Sequence, residues 1–452
     1  VHALTYLDFS QAAETFGKVG GFAHLKTLVD RLRTEVGGQA LLLDGGDTWQ
    51  GSGTALWTRG QDMVDACNLL GVDVMTGHWE FTYKDAETLA NAKRFNGEFV
   101  AQNVRATEDA LFAGVEVYDE DSGHVFPPYV VKDIAGHRVA VVGQAFPYTP
   151  IANPRRFIPV WTFGIQEPEL QELVDAIRAN EKVDAVLLLS HNGMDVDLKL
   201  ACRVSGIDFI LGGHTHDGVP VPIEVSNPGG TTVVTNAGSN GKFVGVLDLQ
   251  FGSGGVTGYR YRLLPVFANL LAPDVAMQAH IDAVRKPHLD TLLEPLAETD
   301  SLLYRRGNFN GTFDQVICDA LRAQLDAQIS LSPGFRWGTS VLPGDTITME
   351  RVLDQTCMTY PETYVREMSG EELKFILESV CDNLFNVDPY YQQGGDMVRV
   401  GGLRFSCAPM ETMGKRIGDL ELTDGTKLDA AKSYKVAGWA TVGSQASGPA
   451  VW

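Results

Sequence analysis

The amino-acid sequence predicts an α/β protein of two domains, in which an α/β domain precedes a smaller α+β domain. In the first part of the chain, amphipathic helical segments alternate with short apolar runs, which is the pattern of an α/β layer structure. The last part mixes helical segments with short strands and glycine-rich turns. With 452 residues, the chain is long enough to form two or three cores.

The predicted elements follow this division in chain order. Short apolar runs of strand character lie at residues 40–43, 72–75, 186–189 and 209–211. Helical spacing occurs at residues 22–32, 168–181, 313–325 and 370–383. A β-rich stretch at 231–264 precedes a helical segment at 273–292, which we interpret as a connector. The predicted parts are therefore a catalytic domain at 1–268, a connecting helix at 269–293 and a second domain at 294–452.

Composition and charge exclude two classes of partner. The chain is 44% hydrophobic but has no apolar run of about 18 residues, so we expect no membrane span. Its net charge of −21 argues against nucleic-acid binding, because no basic stripe offsets the repulsion from phosphates. The six cysteines form no Cys-x-x-Cys pair, and they do not decide the redox compartment.

Polar motifs with metal-ligand residues follow the strand-like runs. Asp47 lies in Gly-Gly-Asp-Thr, His78 in Gly-His-Trp-Glu, and His191 in Ser-His-Asn-Gly, while His214 and His216 lie in Gly-Gly-His-Thr-His. Imidazole and carboxylate groups bind Zn, Mn or Fe, and sites in α/β sheets form at the carboxyl ends of strands. A single histidine usually has an ordinary structural role, but the repeated context of these four predicts a two-metal hydrolase.

The motif spacing suggests how the ligands divide between two ions. An aspartate can bridge two cations about 3.5 to 4 Å apart, which then activate a water molecule and polarise the substrate. Asp47 is the candidate bridge. His214 and His216 are two residues apart on an extended turn and cannot easily bind one ion together, so we expect one of them at each metal.

The motif order resembles the calcineurin-like metallophosphoesterases of the 5′-nucleotidase type, and Pro-Gly-Asp345-Thr-Ile-Thr348 resembles their C-terminal domain. This resemblance implies a four-layer α/β/β/α domain followed by a smaller α+β domain. In that superfamily the third motif usually reads Gly-Asn-His-Glu, with Asn as a metal ligand and His assisting attack on phosphate. Here it reads Gly-His78-Trp79-Glu80.

This change, together with longer strings, resembles the SoxB family of sulfate thiol hydrolases from bacterial thiosulfate oxidation. The strings are Leu43-Asp-Gly-Gly-Asp-Thr-Trp49-Gln-Gly-Ser52, Gly143-Gln-Ala-Phe-Pro-Tyr-Thr-Pro-Ile-Ala-Asn-Pro154 and Gln393-Gly-Gly-Asp396-Met-Val-Arg399-Val-Gly-Gly402. The resemblance implies that a dimetal centre hydrolyses a cysteine-bound S-sulfonate on the SoxYZ carrier and releases sulfate. It also implies two manganese ions and a periplasmic location, although zinc or iron would suit the same ligand types.

The same resemblance assigns the ligands. It makes Asp47 the bridge, places His78 at the Asn position, gives His191 and His214 to the same metal as His78, and gives His216 to the other. The superfamily also has an Asp-x-His motif on its first strand, and this sequence contains none. We expect the sequence to be a fragment without that motif and without any signal peptide.

Further site residues are predicted in the first domain. Trp79 occupies the position of the phosphatase histidine, where it would serve as an apolar wall or a single N–H donor, with ordinary packing as the alternative. Glu80 of the same motif is assigned to the catalytic set. Asn103 would donate a hydrogen bond to an oxyanion near the metals, or alternatively cap a turn.

In the second domain, three residues are predicted to contact substrate. Arg399 would pair with a sulfonate or a carrier carboxylate, and Tyr390 would line a channel for a peptide arm. Asp396 would contact substrate with them or position Arg399. The alternative for Arg399 is that it is an ordinary charged residue in a solvent-exposed loop. Besides a SoxB-like hydrolase, two hypotheses stay open: a 5′-nucleotidase or related phosphoesterase, and a metal-poor relative that only binds a carrier protein.

Overall fold

The helices form where apolar residues recur at helical spacing. The computed structural model describes residues 4–5, 18–305, 307–336, 338–441 and 446–452. Helix Glu167–Asn180 is an example, because it buries Leu170, Val174 and Ile177 along one face. The α-helices are Phe22–Glu35, Gly53–Thr58, Gln61–Leu70, Asp85–Arg94, Glu108–Phe112, Thr149–Ala152, Glu167–Asn180, Met194–Arg203, Val275–Arg285, Leu289–Leu292, Thr312–Gln324, Met349–Thr356 and Gly370–Phe385. Short 3-10 helices span Trp79–Tyr83, Arg155–Phe157, Lys286–His288 and Pro389–Tyr391.

Two sheets organise the first of two structural units, which comprises mainly residues 13–50 and 54–287. The larger sheet has parallel central strands and antiparallel edges, in the order Ile223–Asn227, Gly230–Asn236, Phe209–Gly212, Ala185–Ser190, His137–Gln144 and Tyr129–Ile134. The smaller sheet is parallel and joins Leu43–Asp44, Val74–Met75 and Glu98–Phe99. Further strand pairs are Leu4–Thr5 with Lys18–Val19, Arg105–Ala106 with Trp161–Thr162, and Phe243–Gly252 with Gly255–Pro265.

These two sheets share one apolar core. Val74 of the smaller sheet packs in the same cluster as Val141, Leu187 and Phe209 of the larger one. The Ala185–Ser190 strand is buried along its whole length, which explains its unbroken apolar sequence. Helix Met194–Arg203 contacts the larger sheet. The helix-and-sheet layers therefore confirm the predicted α/β fold of the first domain.

The second unit, mainly residues 288–452, is the predicted α+β domain. Its mixed sheet has the order Thr363–Ser369, Ser433–Trp439, Ile329–Ser332 and Arg399–Gly401, and a separate hairpin pairs Leu403–Cys407 with Ile417–Leu422. Strands Pro295–Glu298 and Thr346–Thr348 form another pair. Helix Gly370–Phe385 begins with a capping box, in which Ser369 and Glu372 each satisfy the backbone of the other.

The predicted connector is shorter and more broken than its sequence suggested. Helix Val275–Arg285 is capped by Asp274, whose side chain accepts from the Met277 N–H, and the chain then continues as a 3-10 turn and a separate short helix. Pro287 lies in that turn and has no N–H to continue an α-helix. None of the helices among the described residues has the length and hydropathy of a membrane-spanning segment.

Candidate metal centre

Three buried histidines come together where strands of the two sheets end. His78 follows Val74–Met75, His191 follows Ala185–Ser190, and His214 follows Phe209–Gly212. Within the described residues, these three offer ring nitrogens that all lie within 4.8 Å of one another. Two nitrogens bound to one Zn²⁺-sized ion lie at most about 4.2 Å apart, so a small inward movement would let all three bind the same ion.

Asp47 lies beside this cluster. Its Oδ2 atom is 3.9 Å from His78 Nδ1 and 4.0 Å from His191 Nε2. A carboxylate at that distance supplies the oxygen donor and the negative charge that a divalent cation prefers beside imidazoles. Together the four residues form a mixed nitrogen and oxygen donor set that fits one metal ion.

The hydrogen bond made by His191 fixes which of its nitrogens can bind a metal. His191 Nδ1 is 2.5 Å from the carbonyl oxygen of Gly45, and a carbonyl only accepts, so Nδ1 carries the proton. The lone pair is then on Nε2, which lies 3.2 Å from His78 Nδ1 inside the cluster. A backbone carbonyl that holds a ligand histidine in this way is a common feature of metal sites.

The backbone of the ligand loops is unusual. Asp47, His214 and His216 all have left-handed conformations, with φ values of 67°, 69° and 62°. Such conformations are uncommon for residues other than glycine and are found where the surrounding structure enforces them, often at functional sites. Gly46 precedes Asp47 with φ of 89°, and a Cβ atom there would lie 2.6 Å from the carbonyl oxygen of Thr76. The Asp47 loop and the loop before His78 can approach only because residue 46 is glycine.

Glu80 joins the Asp47 loop to the loop that carries His78. Its Oε1 atom accepts from the backbone N–H groups of Thr48 and Trp49 at 2.6 and 3.1 Å. Its Oε2 atom accepts from the N–H groups of Asp47 and His78 at 3.1 and 2.7 Å. Glu80 is fully buried, so its negative charge is balanced by these four backbone dipoles rather than by solvent.

A second buried carboxylate supports the His191 loop. Asp197 Oδ1 accepts from Ser190 Oγ at 2.6 Å and from Asn192 Nδ2 at 3.0 Å, the two neighbours of His191. Complete burial raises the pKa of Asp197 to about 7, although both of these hydrogen bonds act to lower it. Asn192 in turn accepts from Gln144 Nε2 at 3.2 Å. The loop is thereby tied to the end of the neighbouring strand.

Aromatic rings form a wall beside the histidines. The Phe146 ring centroid lies 4.0 Å from that of His78 and 4.3 Å from that of His214. The Trp79 ring lies 5.3 Å from His78, and Trp79 is only 6% exposed. Apolar rings around a metal site limit solvent access and lower the local dielectric constant.

A comparison with a solved structure decides the family. The sulfate thiohydrolase SoxB of Thermus thermophilus, solved in complex with glycerol, is 39% identical to this chain and superposes with a TM-score of 0.89. The match covers 96% of this chain and 78% of the Thermus chain. The chain belongs to the SoxB family. This family is of the dimetal phosphoesterase type, and the three-histidine cluster is compatible with that type.

Other relatives connect this SoxB-family chain to the nucleotidases. Residues 297–451 match the family model of the 5′-nucleotidase C-terminal domain. A 5′-nucleotidase precursor from Thermus thermophilus is 25% identical with a TM-score of 0.78, covering 93% of this chain and 84% of its own. The trifunctional nucleotide phosphoesterase YfkN of Bacillus subtilis is 27% identical over 97% of this chain. The chain spans 32% of the length of that curated relative.

Two residues predicted to be catalytic have other partners in this SoxB-family chain. Asn103 donates through Nδ2 to the carbonyl oxygens of Ala145 and Gly164 at 2.8 and 2.9 Å, and its Oδ1 accepts from the Ala145 N–H. Both amide hydrogens are therefore donated to backbone carbonyl groups, which leaves none for the expected oxyanion contact. Glu80 likewise contacts backbone N–H groups, so the structure makes it a positioning residue. The third, Trp79, is buried with its ring beside that of His78, and its role as an apolar wall stays a prediction.

The surroundings of Arg399 in the second unit differ from expectation, whereas the predicted role of Tyr390 stays a prediction. Arg399 is completely buried, with Nε 3.1 Å from Asp314 Oδ2 and Nη2 3.0 Å from Asp396 Oδ2. This internal pairing contradicts both the solvated charge and the direct substrate contact, and it matches the alternative that Asp396 positions Arg399. Tyr390 is half-buried in a 3-10 turn.

His216, the predicted ligand of the second metal, is half-buried, and the three-histidine cluster of the described residues does not extend to it.

Sequence reasoning missed Phe146 and Asp197. Phe146 lies within a string quoted for its resemblance, but an apolar residue carries no metal-ligand signal of its own. Asp197 had a usable signal, because it falls on the same helix face as the buried Met194, Leu200 and Ala201. An acidic residue within an apolar helix stripe predicts a buried carboxylate that needs hydrogen-bond partners.

Proposed function

We propose that this chain hydrolyses a cysteine-bound S-sulfonate on the SoxYZ carrier and releases sulfate during bacterial thiosulfate oxidation. The similarity to the Thermus thermophilus sulfate thiohydrolase over 96% of the chain carries this proposal. The motif Gly-His78-Trp79-Glu80 adds support, because 5′-nucleotidase relatives usually have Asn and His at the two middle positions.

We assign the first metal to His78, His191 and His214 with Asp47, and we place His216 with Asp47 at the second. When bound, the metals would supply a nucleophilic water at neutral pH and polarise the oxygens of the substrate. Manganese is the proposed metal because of the family, since the donor set alone would also suit zinc or iron. Glu80 and Asp197 would keep the donor atoms in place without touching substrate.

The aromatic residues fit a reaction that needs little acid assistance. The Trp79 indole can donate a hydrogen bond but cannot deliver a proton at neutral pH. A thiolate or persulfide leaves as a stable anion, so loss of the phosphatase-type histidine does not block sulfonate hydrolysis. Trp79 and Phe146 would instead exclude bulk water from the side of the cluster where they pack, which strengthens electrostatic contacts within it.

The location and the partner follow from the same family. A SoxYZ carrier would bring the substrate as a protein-bound group, and the reaction would take place in the periplasm. A carrier-bound substrate needs an approach route for a peptide arm, and half-buried Tyr390 is our candidate to line it.

A comparison of two substrates tests the proposal. The protein is loaded with Mn²⁺ and given a Cys-S-sulfonate peptide or AMP, and sulfate and phosphate release are measured. We expect sulfate from the peptide and no phosphate from AMP. The His78→Ala variant should release neither, whereas His280→Ala, on the surface helix Val275–Arg285, should behave as the wild type.

A nucleotidase is the second candidate function. It is favoured by the similarity to a curated nucleotide phosphoesterase over 97% of the chain. Phosphate release from AMP without sulfate release would support this candidate and overturn the first.

A further inference from the structure

Two cysteines of the second unit lie in contact with each other. Cys381, on helix Gly370–Phe385, has its Sγ atom 3.5 Å from Sγ of Cys407, the last residue of strand Leu403–Cys407. Both are free thiols, Cys381 is fully buried in the core of the unit, and Cys407 is partly buried beside it. The sulfurs are 26 residues apart in sequence, so the contact is a product of the fold.

Polar contacts hold the two elements on either side of this pair. Glu378 lies one helical turn before Cys381, and its carboxylate accepts from the N–H groups of Gly414 and Ile417 at 2.7 and 2.8 Å. Arg416 donates to Asp382, the residue after Cys381, and to the carbonyl oxygen of Phe385 at 3.1 Å. Because Ile417 pairs directly with Cys407 in the hairpin, these contacts fix the helix against the strand that carries the second thiol.

We propose that Cys381 and Cys407 form an intramolecular disulfide when the folded protein meets a disulfide oxidant. The sulfurs are already in van der Waals contact, so bond formation requires a movement of about 1.5 Å, within reach of a small side-chain rotation. The inference concerns this cysteine pair alone and does not depend on the hydrolase proposed above.

The reaction is a thiol–disulfide exchange in two steps. The Cys407 thiolate attacks one sulfur of the oxidant and displaces one thiol. Cys381, after losing its proton, then attacks Cys407 Sγ and displaces the second thiol. Two cysteine thiols lose two protons and two electrons in total, and the oxidant is reduced to two thiols.

Exposure sets the order of these steps. Cys407 is partly exposed and meets the oxidant first, whereas Cys381 is inaccessible from solvent. Burial, together with the neighbouring Cys407 thiol, raises the pKa of Cys381. Cys381 therefore acts second, as the thiol that resolves the mixed disulfide on Cys407.

The test is a peptide map of the wild-type protein after incubation with glutathione disulfide. Remaining thiols are alkylated under denaturing conditions before digestion without reductant. We expect one cross-linked species joining the Cys381 and Cys407 peptides, lighter by two hydrogen atoms than the two thiol peptides together. Exposed Cys202 should carry glutathione, which shows that the oxidant was active, and buried Cys318 should be alkylated.

Thermal unfolding provides a second readout. Closing a loop of this length should raise the Tm of the second unit by about 5 to 10 °C, and a reductant should reverse the increase. Cys407→Ser should lose this shift, while Cys318→Ser should retain it. The proposal is overturned if Cys381 and Cys407 are both recovered alkylated while Cys202 is modified, or if Cys407 carries glutathione without a cross-link.

Discussion

Replacing Glu80 by Gln would separate a positioning role from a catalytic one. The carboxylate accepts four backbone hydrogen bonds, two at each oxygen. They come from the Asp47 loop and from His78, so a single side chain sets the relative position of two candidate metal ligands. Gln has the same shape but one acceptor oxygen, and its NH₂ group would face two backbone N–H groups whichever way it turns.

The size of the effect follows from these contacts. A hydrogen bond to a charged acceptor contributes about 1.5 to 3 kcal/mol, so the loss of two should lower the free energy of unfolding by about 3 to 6 kcal/mol. Metal affinity should fall as well, because changes in the groups that orient metal ligands usually reduce it by about 10- to 100-fold. Turnover at saturating metal should be affected less than metal affinity.

Thermal unfolding in metal-free buffer and calorimetric titration with Mn²⁺ would measure the two quantities. Glu87→Gln is the matched control, since Glu87 contacts Arg59 and Gln61 at 3.4 and 3.5 Å near the surface. We expect that control to stay within about 0.5 kcal/mol of wild type. A Glu80→Gln protein with wild-type stability and Mn²⁺ affinity but lost turnover would refute the positioning role and restore the catalytic one.

Three further predictions address the remaining buried groups. His78→Ala should lose one Mn²⁺ and hydrolysis together, and retention of both would remove His78 from the ligand set. The pKa of Asp197 is raised by burial to about 7 from 3.8, so the folded state holds this proton more tightly than the unfolded chain. Stability of metal-free protein should therefore fall as pH rises from about 4 to 7. In Asp197→Asn, the decrease in the free energy of unfolding between pH 4 and 7 should be smaller by on the order of 4 kcal/mol. Denaturant titrations that show the same pH dependence in the variant and the wild type would contradict this. Arg399→Met should lower the free energy of unfolding by about 3 to 5 kcal/mol, because it leaves Asp396 buried without its cation. The control Arg404→Met, at an exposed position, should change it little, and equal melting temperatures of the two variants would refute the buried pairing.

The sequence was sufficient to predict which strand ends carry the candidate ligands. Unbroken apolar runs followed by glycine or serine mark parallel strands that are buried on both faces, and the residues after them meet at one edge. His191 and His214 come together for this reason. His78, 113 residues before His191, follows a strand of the smaller sheet and joins them because the two sheets share one core. The resemblance to a known family supplied the four-layer arrangement, which the apolar pattern alone does not specify.

The same reasoning could not decide where the polar loop residues point. Asn103 bonds to backbone groups 42 and 61 residues away, and Arg399 reaches Asp314 from a strand that pairs with Ile329–Ser332. Local composition is similar for a polar residue that faces a substrate and for one that satisfies buried backbone. Only tertiary contacts distinguish these cases, because the partners are distant in sequence.

The left-handed backbone at Asp47, His214 and His216 restricts which residues can replace them during evolution. Aspartate, asparagine and histidine tolerate this conformation better than most side chains, and all three types are metal donors. Exchanges within this set would change the metal preference with little backbone cost, whereas a β-branched residue would lose the ligand and add strain. Glycine should be less damaging to the fold than alanine at position 47, although both remove the same donor. The range of accessible metal chemistries in this lineage is therefore limited by backbone geometry as well as by the ions available.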